Sequence, residues 1–342
     1  MWCPLDPRRS PGLAPAVFAD GCDITASPCD SAPVVDPYSV QAALDAAVLE
    51  ARDLTGGLPA DYIPELANAP PDTLSAAITL HSGQVLRAGD PEVYLTYQSS
   101  AKLLLLAGLL EERGPDEVFK RVGREPSGGG FASLARLETH GPVPANPLIN
   151  PGAIALAASL EGNVEDRLAW LEKWSEKLYG EVLSVDMRTL ASERRTGDRN
   201  RSIAYFLRAS GVIHGDVDDA LEVYFALCSL EATVAPASRM AAIFASGGVA
   251  PGGERVLSTD TASAVVAIMA TCGMYDESGT YLVQTGLPAK SGVSGIIVAV
   301  ATGRAGIAVA SPRLNAKGGS VRGHHVLASL SRRLGWHMAT PE

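Results

Sequence analysis

Ser99 and Lys102, three positions apart, have the spacing needed for nucleophilic catalysis. On a helix, side chains at this spacing lie on one face with Cβ atoms about 5–6 Å apart. An amine within reach of a hydroxyl can take its proton, which makes the serine a nucleophile for acyl transfer. In the alternative interpretation, Ser99 only caps a buried helix and Lys102 extends to solvent; the pattern alone favours neither.

A Lys-Ser-Gly triplet, Lys290, Ser291 and Gly292, lies far downstream. In several serine acyl-transfer enzymes such a triplet follows the Ser-x-x-Lys motif on a strand. Lys102 must lose its proton to act as a base, and burial beside Lys290 would favour the neutral amine. The two motifs together predict a single active site.

An apolar segment follows the first motif directly. Residues 103–110 are apolar nearly all round a helix, which predicts a buried helix with Ser99 at its amino end. The unpaired N–H groups and the helix dipole at that end favour a developing negative charge.

Further elements are predicted on both sides of this helix. Residues 39–53 form an amphipathic pattern that predicts a helix capped by Ser39. A final helix is predicted over 321–334. Four segments have the composition and turn residues of hairpin strands: 74–80 and 84–87 around Gly83, and 295–301 and 305–310.

Strands near both ends with helices between them predict an α/β plus all-α architecture. An antiparallel sheet would be built from both chain ends, with an inserted helical domain. We expect an α/β sheet domain over residues 37–97 and 281–342, a helical domain over 98–280, and a poorly ordered extension over 1–36. The site would lie in the cleft between the two domains.

Composition excludes several classes of function. The net charge of −10 opposes binding to nucleic acid, and no apolar run approaches the roughly 18 residues that span a bilayer. The N-terminal apolar stretch is too short for a signal peptide. The five cysteines form no Cys-x-x-Cys pair, and no His-Glu-x-x-His motif is present, so we expect no metal, no cofactor and a cytoplasmic location.

Three polar residues downstream are candidates for binding a substrate. Asn150 precedes a proline and is either a helix cap or an amide that binds a carboxylate. Glu193 and Asn200 are seven positions apart, which would place them on one face of a continuous helix. They belong either to a charged surface helix or to a binding site, and the spacing alone favours the surface.

Beyond these motifs, the chain resembles the glutaminase family of serine-dependent amidohydrolases, relatives of β-lactamases and penicillin-binding proteins. The resemblance covers roughly residues 40–335, and residues 1–36 have no counterpart. The matching strings are ADYIPELA from Ala60, YQSSAK from Tyr97, VGREPSGGGF from Val122, NPLINPGAI from Asn146, SERRTGDRN from Ser192, VYFALCS from Val223, CGMYDESG from Cys272, LPAKSGV from Leu287 and SPRLNAKGGSVRG from Ser311.

This resemblance implies a role for each matching residue. Ser99 would be the nucleophile, with Lys102 its base or proton shuttle and Tyr275 a partner in the proton transfer. The backbone N–H groups of Ser99 and Val293 would form an oxyanion hole. Substrate-binding positions would be Tyr62, Gln98, Asn150, Glu193, Asn200, Tyr224, Tyr275 and Val293, supported by Lys290 and Ser291.

The resemblance also implies hydrolysis of L-glutamine to L-glutamate and ammonia by a homodimer or homotetramer, without metal or cofactor. Two alternatives remain: a β-lactamase-like or peptidase-like amidohydrolase, and a silent amino-acid-binding protein. Glu193 and Asn200 argue against the first, since an acylated peptide offers no free ammonium to pair with. Among departures from the family strings at Ala101, Ala132, Pro151 and Gly319, only Pro151, beside Asn150, is expected to affect substrate affinity.

Overall fold

The computed structural model describes residues 36–128, 130 and 132–340, which fold into helices and short strands. The strands are β1 (Ser75–Leu80), β2 (Val85–Gly89), β3 (Leu95–Thr96), β4 (Ser184–Val185), β5 (Leu230–Ala232), β6 (Ala289–Ser291), β7 (Ile296–Ala301) and β8 (Ala305–Ala310). The helices are α1 (Pro37–Arg52), α2 (Pro64–Ala67), α3 (Lys102–Val118), α4 (Leu134–His140), α5 (Asn150–Ala158), α6 (Val164–Tyr179), α7 (Met187–Thr196), α8 (Asp198–Ala209), α9 (Val217–Cys228), α10 (Val234–Ala245), α11 (Thr259–Cys272), α12 (Ser278–Thr285) and α13 (Val321–Leu334). Two 3-10 turns complete the set: η1 (Gln98–Ala101) and η2 (Tyr275–Glu277).

Five strands form one antiparallel sheet in the order β2-β1-β8-β7-β6. Ala310 of β8 pairs with Ser75 of β1 on one side and with Ile296 of β7 on the other. β1 with β2 and β7 with β8 are the two predicted hairpins, and Gly83 has the positive φ, 89°, expected in the first turn. The prediction of a mixed α/β fold with an antiparallel sheet is confirmed.

Helices cover both faces of this sheet. Ile297 and Ile307 belong to a hydrophobic core shared with α1 and α13, whereas Val298 belongs to a core shared with α10. A Cβ added at Gly306 would lie 2.0 Å from the backbone nitrogen of Ala242 in α10. The absence of a side chain at Gly306 therefore lets α10 pack directly on β8.

A second sheet, in the order β3-β5-β4, was not predicted. Its strands contain two or three residues each, which is too short for an alternating pattern to appear in the sequence. The backbone N–H of Tyr97, just after β3, donates to the carbonyl of Leu230 in β5 at 2.7 Å. This sheet therefore fixes the backbone that enters η1.

The cap predicted for the first helix is wrong by three residues. Asp36 is the N-cap of α1, and its carboxylate accepts hydrogen bonds from the backbone N–H groups of Tyr38 and Ser39. Pro37 follows at the first helical position, where its missing N–H costs nothing. Ser39, the predicted cap, instead donates its hydroxyl to Asp36. The predicted N-terminal extension lies outside the described residues, apart from Asp36.

The continuous helix expected through Glu193 and Asn200 is also wrong. α7 ends at Thr196 and α8 begins at Asp198, with Gly197 between them. A Cβ at Gly197 would lie 2.5 Å from the carbonyl oxygen of Glu193.

Within the described ranges, no helix is both long and apolar enough to cross a membrane.

Candidate active site

Ser99 lies in η1, which runs directly into α3, whose first residue is Lys102. Side chains at i and i+3 eclipse each other in a 3-10 turn, so this turn directs both side chains to the same side. Ser99 is 8% exposed and Lys102 is 1% exposed, and neither supplies a side-chain cap to the turn or the helix. The alternative of a capping serine and a solvated lysine is therefore wrong. Leu103 and Leu104, both fully buried, begin the predicted core helix.

Tyr275 is the hydrogen-bond partner of the Ser99 side chain. Burial raises the pKa of Tyr275, and the hydrogen bond with Ser99 opposes that rise. Among the described residues, two besides glycines have positive φ: Tyr275 at 55° and Gln98, the neighbour of Ser99, at 47°. Such conformations cost about 1–3 kcal/mol each and persist where surrounding contacts impose them. One of these strained residues precedes Ser99 in the chain and the other is its hydrogen-bond partner.

Lys102 begins a chain of buried hydrogen bonds. Its Nζ donates to Oδ1 of Asn150 at 2.7 Å, and Nδ2 of Asn150 donates to Oδ1 of Asn200 at 2.9 Å. Asn150 is the first residue of α5 and its side chain caps nothing, so the cap interpretation is wrong. Pro151 does not prevent this arrangement. No hydrogen bond joins Lys102 to Ser99 among the described side chains.

Burial lowers the pKa of Lys102 to about 8, although Cys228 and Glu193 act in the opposite direction. Burial also lowers the pKa of Lys290, and repulsion from Lys102 lowers it further. Burial, rather than repulsion from Lys290, is therefore the cause of the shift at Lys102. This agrees with the expectation that the site weakens the lysine's hold on its proton.

Lys290 connects the second motif to Tyr275. It is fully buried in β6, and its Nζ donates to the carbonyl of Ser291 at 2.6 Å. The same Nζ lies 4.0 Å from the centre of the Tyr275 ring. A Cβ at Gly292 would lie 2.6 Å from the carbonyl oxygen of Tyr97. The end of β6 therefore touches the backbone that enters η1, and the two sequence motifs meet.

The turn after β6 contains Val293. Gly292 donates its N–H to the carbonyl of Ile296 at 2.8 Å, which closes the turn. Within the described part of the chain, the backbone N–H groups of Ser99 and Val293 donate no hydrogen bond. Free N–H groups at these two positions are what an oxyanion hole requires.

Glu193 is only 6% exposed, so the charged-surface interpretation is wrong for this residue. Burial raises its pKa to about 7, whereas Lys102 and a hydrogen bond with Gln98 lower it. Gln98 also donates to Oγ1 of Thr96 at 3.4 Å. A carboxylate in this setting is stabilised by any further positive charge that binds beside it.

Two tyrosines complete the predicted set. Tyr224 is buried in α9, and Nζ of Lys102 lies 5.8 Å from the centre of its ring. Tyr62 is 52% exposed as a whole, but burial of its hydroxyl end raises its pKa, with further contributions from Tyr275 and Glu193. Its hydroxyl therefore lies near the site while its ring borders solvent. An open cavity lined by Tyr62 and Val293 adjoins this point.

Cys228 belongs to the same group of residues, although the sequence analysis did not include it. It is 3% exposed at the end of α9, and its thiol is hydrogen-bonded with Tyr224, one helical turn earlier. Burial, assisted by Glu193, raises its pKa to about 12, so the thiol is protonated at neutral pH. Its spacing from Tyr224 was the available sequence signal.

In the described ranges, no three His, Cys, Asp or Glu side chains are grouped to hold a metal ion.

Comparison with known proteins adds an independent line of support. The family described as Glutaminase matches residues 57–338. A glutaminase of Legionella pneumophila (strain Corby) is 48% identical over 287 residues, which cover 83% of this chain and 93% of that protein. The solved structure of a probable glutaminase, ybaS, superposes with a TM-score of 0.87 at 37% identity, covering 90% of this chain and all of that one. A structure described as Mglu in its glutamate form has a TM-score of 0.84 at 37% identity and covers 88% of this chain and 70% of its own.

Proposed function

The chain belongs to the glutaminase family, and on that basis we propose that it hydrolyses L-glutamine to L-glutamate and ammonia through a γ-glutamyl ester on Ser99. The observation that carries the proposal is the hydrogen bond between Ser99 and Tyr275 beside two buried amines, Lys102 and Lys290. Nucleophilic catalysis needs a hydroxyl that lies close to buried groups whose pKa values are shifted, such as these two amines and the Tyr275 phenol.

In the first half of the reaction, Oγ of Ser99 attacks the side-chain amide carbon of glutamine. The serine proton passes to the neutral amine of Lys102, and the N–H groups of Ser99 and Val293 bind the oxyanion. The proton is then delivered to the departing nitrogen, and ammonia leaves as the ester forms. In the second half, water gives a proton to Lys102 as it attacks the ester, and that proton passes to Oγ of Ser99 as glutamate leaves.

Lys102 is the better first acceptor of the two candidates. With a pKa of about 8, about a tenth of this amine is neutral at pH 7. Tyr275, by contrast, has a raised pKa and keeps its proton. We therefore assign Tyr275 to relaying a proton through its hydrogen bond with Ser99, with Lys290 orienting the ring from 4.0 Å.

The remaining polar residues suit a free amino acid. Glu193 would pair with the substrate ammonium, whose charge would favour the ionised carboxylate. The amides of Asn150 and Asn200 and the hydroxyls of Tyr62 and Tyr224 would bind the substrate carboxylate, with Gln98 and Ser291 in support. The related Mglu structure in its glutamate form supports an amino acid of this type as ligand.

The division into domains, the cellular location and the oligomeric state form part of the same proposal. We assign residues 37–97 and 281–342 to the α/β domain of a β-lactamase-like fold, and 98–280 to an inserted helical domain. A cytoplasmic location agrees with the two described cysteines, Cys228 and Cys272, being free thiols. A homodimer or homotetramer is proposed by analogy with the family.

A glutamate-release assay on Ser99→Ala tests the function. We expect ammonia and glutamate release to fall about a thousandfold or more, because the nucleophile is gone. Calorimetry should still detect glutamine binding, because the polar residues around the substrate head remain. Ser202→Ala, an exposed serine of α8, is the matched control and should retain full activity. Turnover that survives in Ser99→Ala would refute the assignment.

A further inference from the structure

A cavity of about 220 Å³ lies beside the site but is separate from its chemistry. It is lined by segments around α2, the start of α7, the second sheet and the turn after β6. Of the residues assigned above to catalysis or substrate binding, only Val293 lines it. The next residue, Ser294, also lines the cavity, whereas Ser99 does not.

The charged residues that line this cavity are all acidic. Three carboxylates, Glu65, Asp186 and Glu231, line it, and no lysine, arginine or histidine of the described chain does so. None of the three forms a salt bridge with a described residue. Burial raises the pKa of Glu231, and the neighbouring Asp186 raises it further. Because Asp186 and Glu231 repel each other, a positive ligand beside them would relieve the repulsion.

Two buried oxygen atoms at this cavity lack partners. Ser294 is 8% exposed, and its Oγ has no hydrogen-bond partner within the described chain. Oε2 of Glu65 is likewise enclosed without a partner. A buried polar atom left unpaired is costly, so both positions favour a ligand that can donate hydrogen bonds. Asp186 does not share this need, since it already accepts from Arg188 and Thr189 at the start of α7.

We propose that this cavity is a binding site for a small aliphatic ammonium ligand. An ammonium group donates up to three hydrogen bonds, and its positive charge can pair with Glu65 and Glu231, which form no salt bridge with a described residue. The rest of the wall is largely apolar, with Leu66, Val93 and Leu95 among its members. Methylene groups gain from contact with such a wall, whereas a hydrated inorganic cation does not. The ligand class is therefore an alkylamine or diamine.

Calorimetric titration of the full-length protein with 1,4-diaminobutane tests this proposal without depending on turnover. We expect a single binding event with Kd of about 1 mM or lower. Glu231→Gln should weaken it at least tenfold, and Ser294→Ala severalfold. Glu172→Gln, which removes the same charge from the exposed surface of α6, is the matched control and should leave Kd unchanged. Circular dichroism would verify that each variant is folded.

Two further titrations decide the chemistry. Butane-1,4-diol has the same carbon chain without charge and should produce no binding heat. Sodium chloride at equal ionic strength should neither bind at the cavity nor displace the diamine. Absence of diamine binding, equal weakening by Glu172→Gln and Glu231→Gln, or equal binding of sodium would each overturn the proposal. Because glutamine hydrolysis is not the readout, failure here is distinct from failure of the proposed function.

Discussion

Lys102 and Glu193 share one buried environment that moves their pKa values toward each other. Burial lowers the pKa of Lys102 to about 8 and raises that of Glu193 to about 7. Each also stabilises the charged form of the other. The proposed reaction needs Lys102 neutral and Glu193 ionised, so both groups must lose a proton before the enzyme is active.

The first prediction concerns pH. Because both required forms are deprotonated, kcat/KM for glutamine should rise between pH 6 and pH 8.5, through apparent pKa values near 7 and 8. Steady-state assays across this range measure the profile. In Glu193→Gln the limb near 7 should disappear. The remaining limb should move below 8, because Lys102 loses a carboxylate that raises its pKa. A profile that is flat or falling over this range would contradict the assignment.

Some site residues could be recognised from sequence and others could not. The spacing of Ser99 and Lys102 is a local property that can be read from the sequence, and both residues are buried. Tyr275 is indicated only by the family resemblance and carries no spacing signal, because its contact with Ser99 depends on a strained backbone, φ 55°, that tertiary contacts impose. The spacing of Cys228 from Tyr224 indicates only that the two share a face of one helix, and the packing of that helix against Lys102 is a tertiary contact.

Two elements meet at the site, the η1 turn and the turn that follows β6. Their contact depends on Gly292, where a Cβ would lie 2.6 Å from the carbonyl oxygen of Tyr97 and 2.9 Å from the Ile296 side chain. Backbone atoms cannot yield as a flexible side chain does. The distance between the proposed oxyanion N–H groups therefore depends on this glycine.

Gly292→Ala provides the prediction at the scale of elements. The added methyl group should push the β6–β7 turn away from η1 and lower kcat at least tenfold, since a misplaced oxyanion donor costs about 10²–10³ in rate. Gly279→Ala is the control, because a Cβ at that position in α12 meets nothing within 4 Å. Steady-state kinetics and thermal unfolding of both variants are the measurements. Full activity in Gly292→Ala would mean that this contact does not set the geometry.

Element prediction succeeded where a pattern was long enough to be periodic. Both hairpins and the final helix α13 lie close to their predicted bounds, and the helix predicted over 103–110 is present but extends to Val118 as part of α3. The segment from Glu193 to Asn200 is not one helix, because α7 ends at Thr196 and α8 begins at Asp198, with Gly197 between them. The second sheet was missed because its strands have two or three residues.

At the scale of the whole molecule, one sheet joins segments that are far apart in the sequence. β1 pairs with β8, and the helices α1 and α13 pack together over the same face. Arg322 strengthens this closure, because its buried guanidinium donates to the carbonyls of Leu54, Asp72 and Arg52. Composition and hydrophobic pattern predicted that the chain ends would form a sheet. Strand order and register depend on contacts between distant residues, which a single sequence does not reveal.

The prediction at this scale is that two or four copies of the chain associate in solution. Light scattering coupled to gel filtration, at concentrations used for the activity assay, measures the mass of the assembly. A multiple of two chains of 35.6 kDa each is expected. A single species with the mass of one chain would contradict the prediction, and would leave the proposed chemistry of Ser99 unaffected.

The most direct test of the central claim is to trap the intermediate. The protein is mixed with glutamine, quenched in acid within one turnover, digested and analysed by mass spectrometry. We predict that the peptide containing Ser99 carries one γ-glutamyl group, and that the group is missing from Ser99→Ala. Full turnover with the group on a different residue, or with no covalent intermediate under any quench condition, would contradict the account.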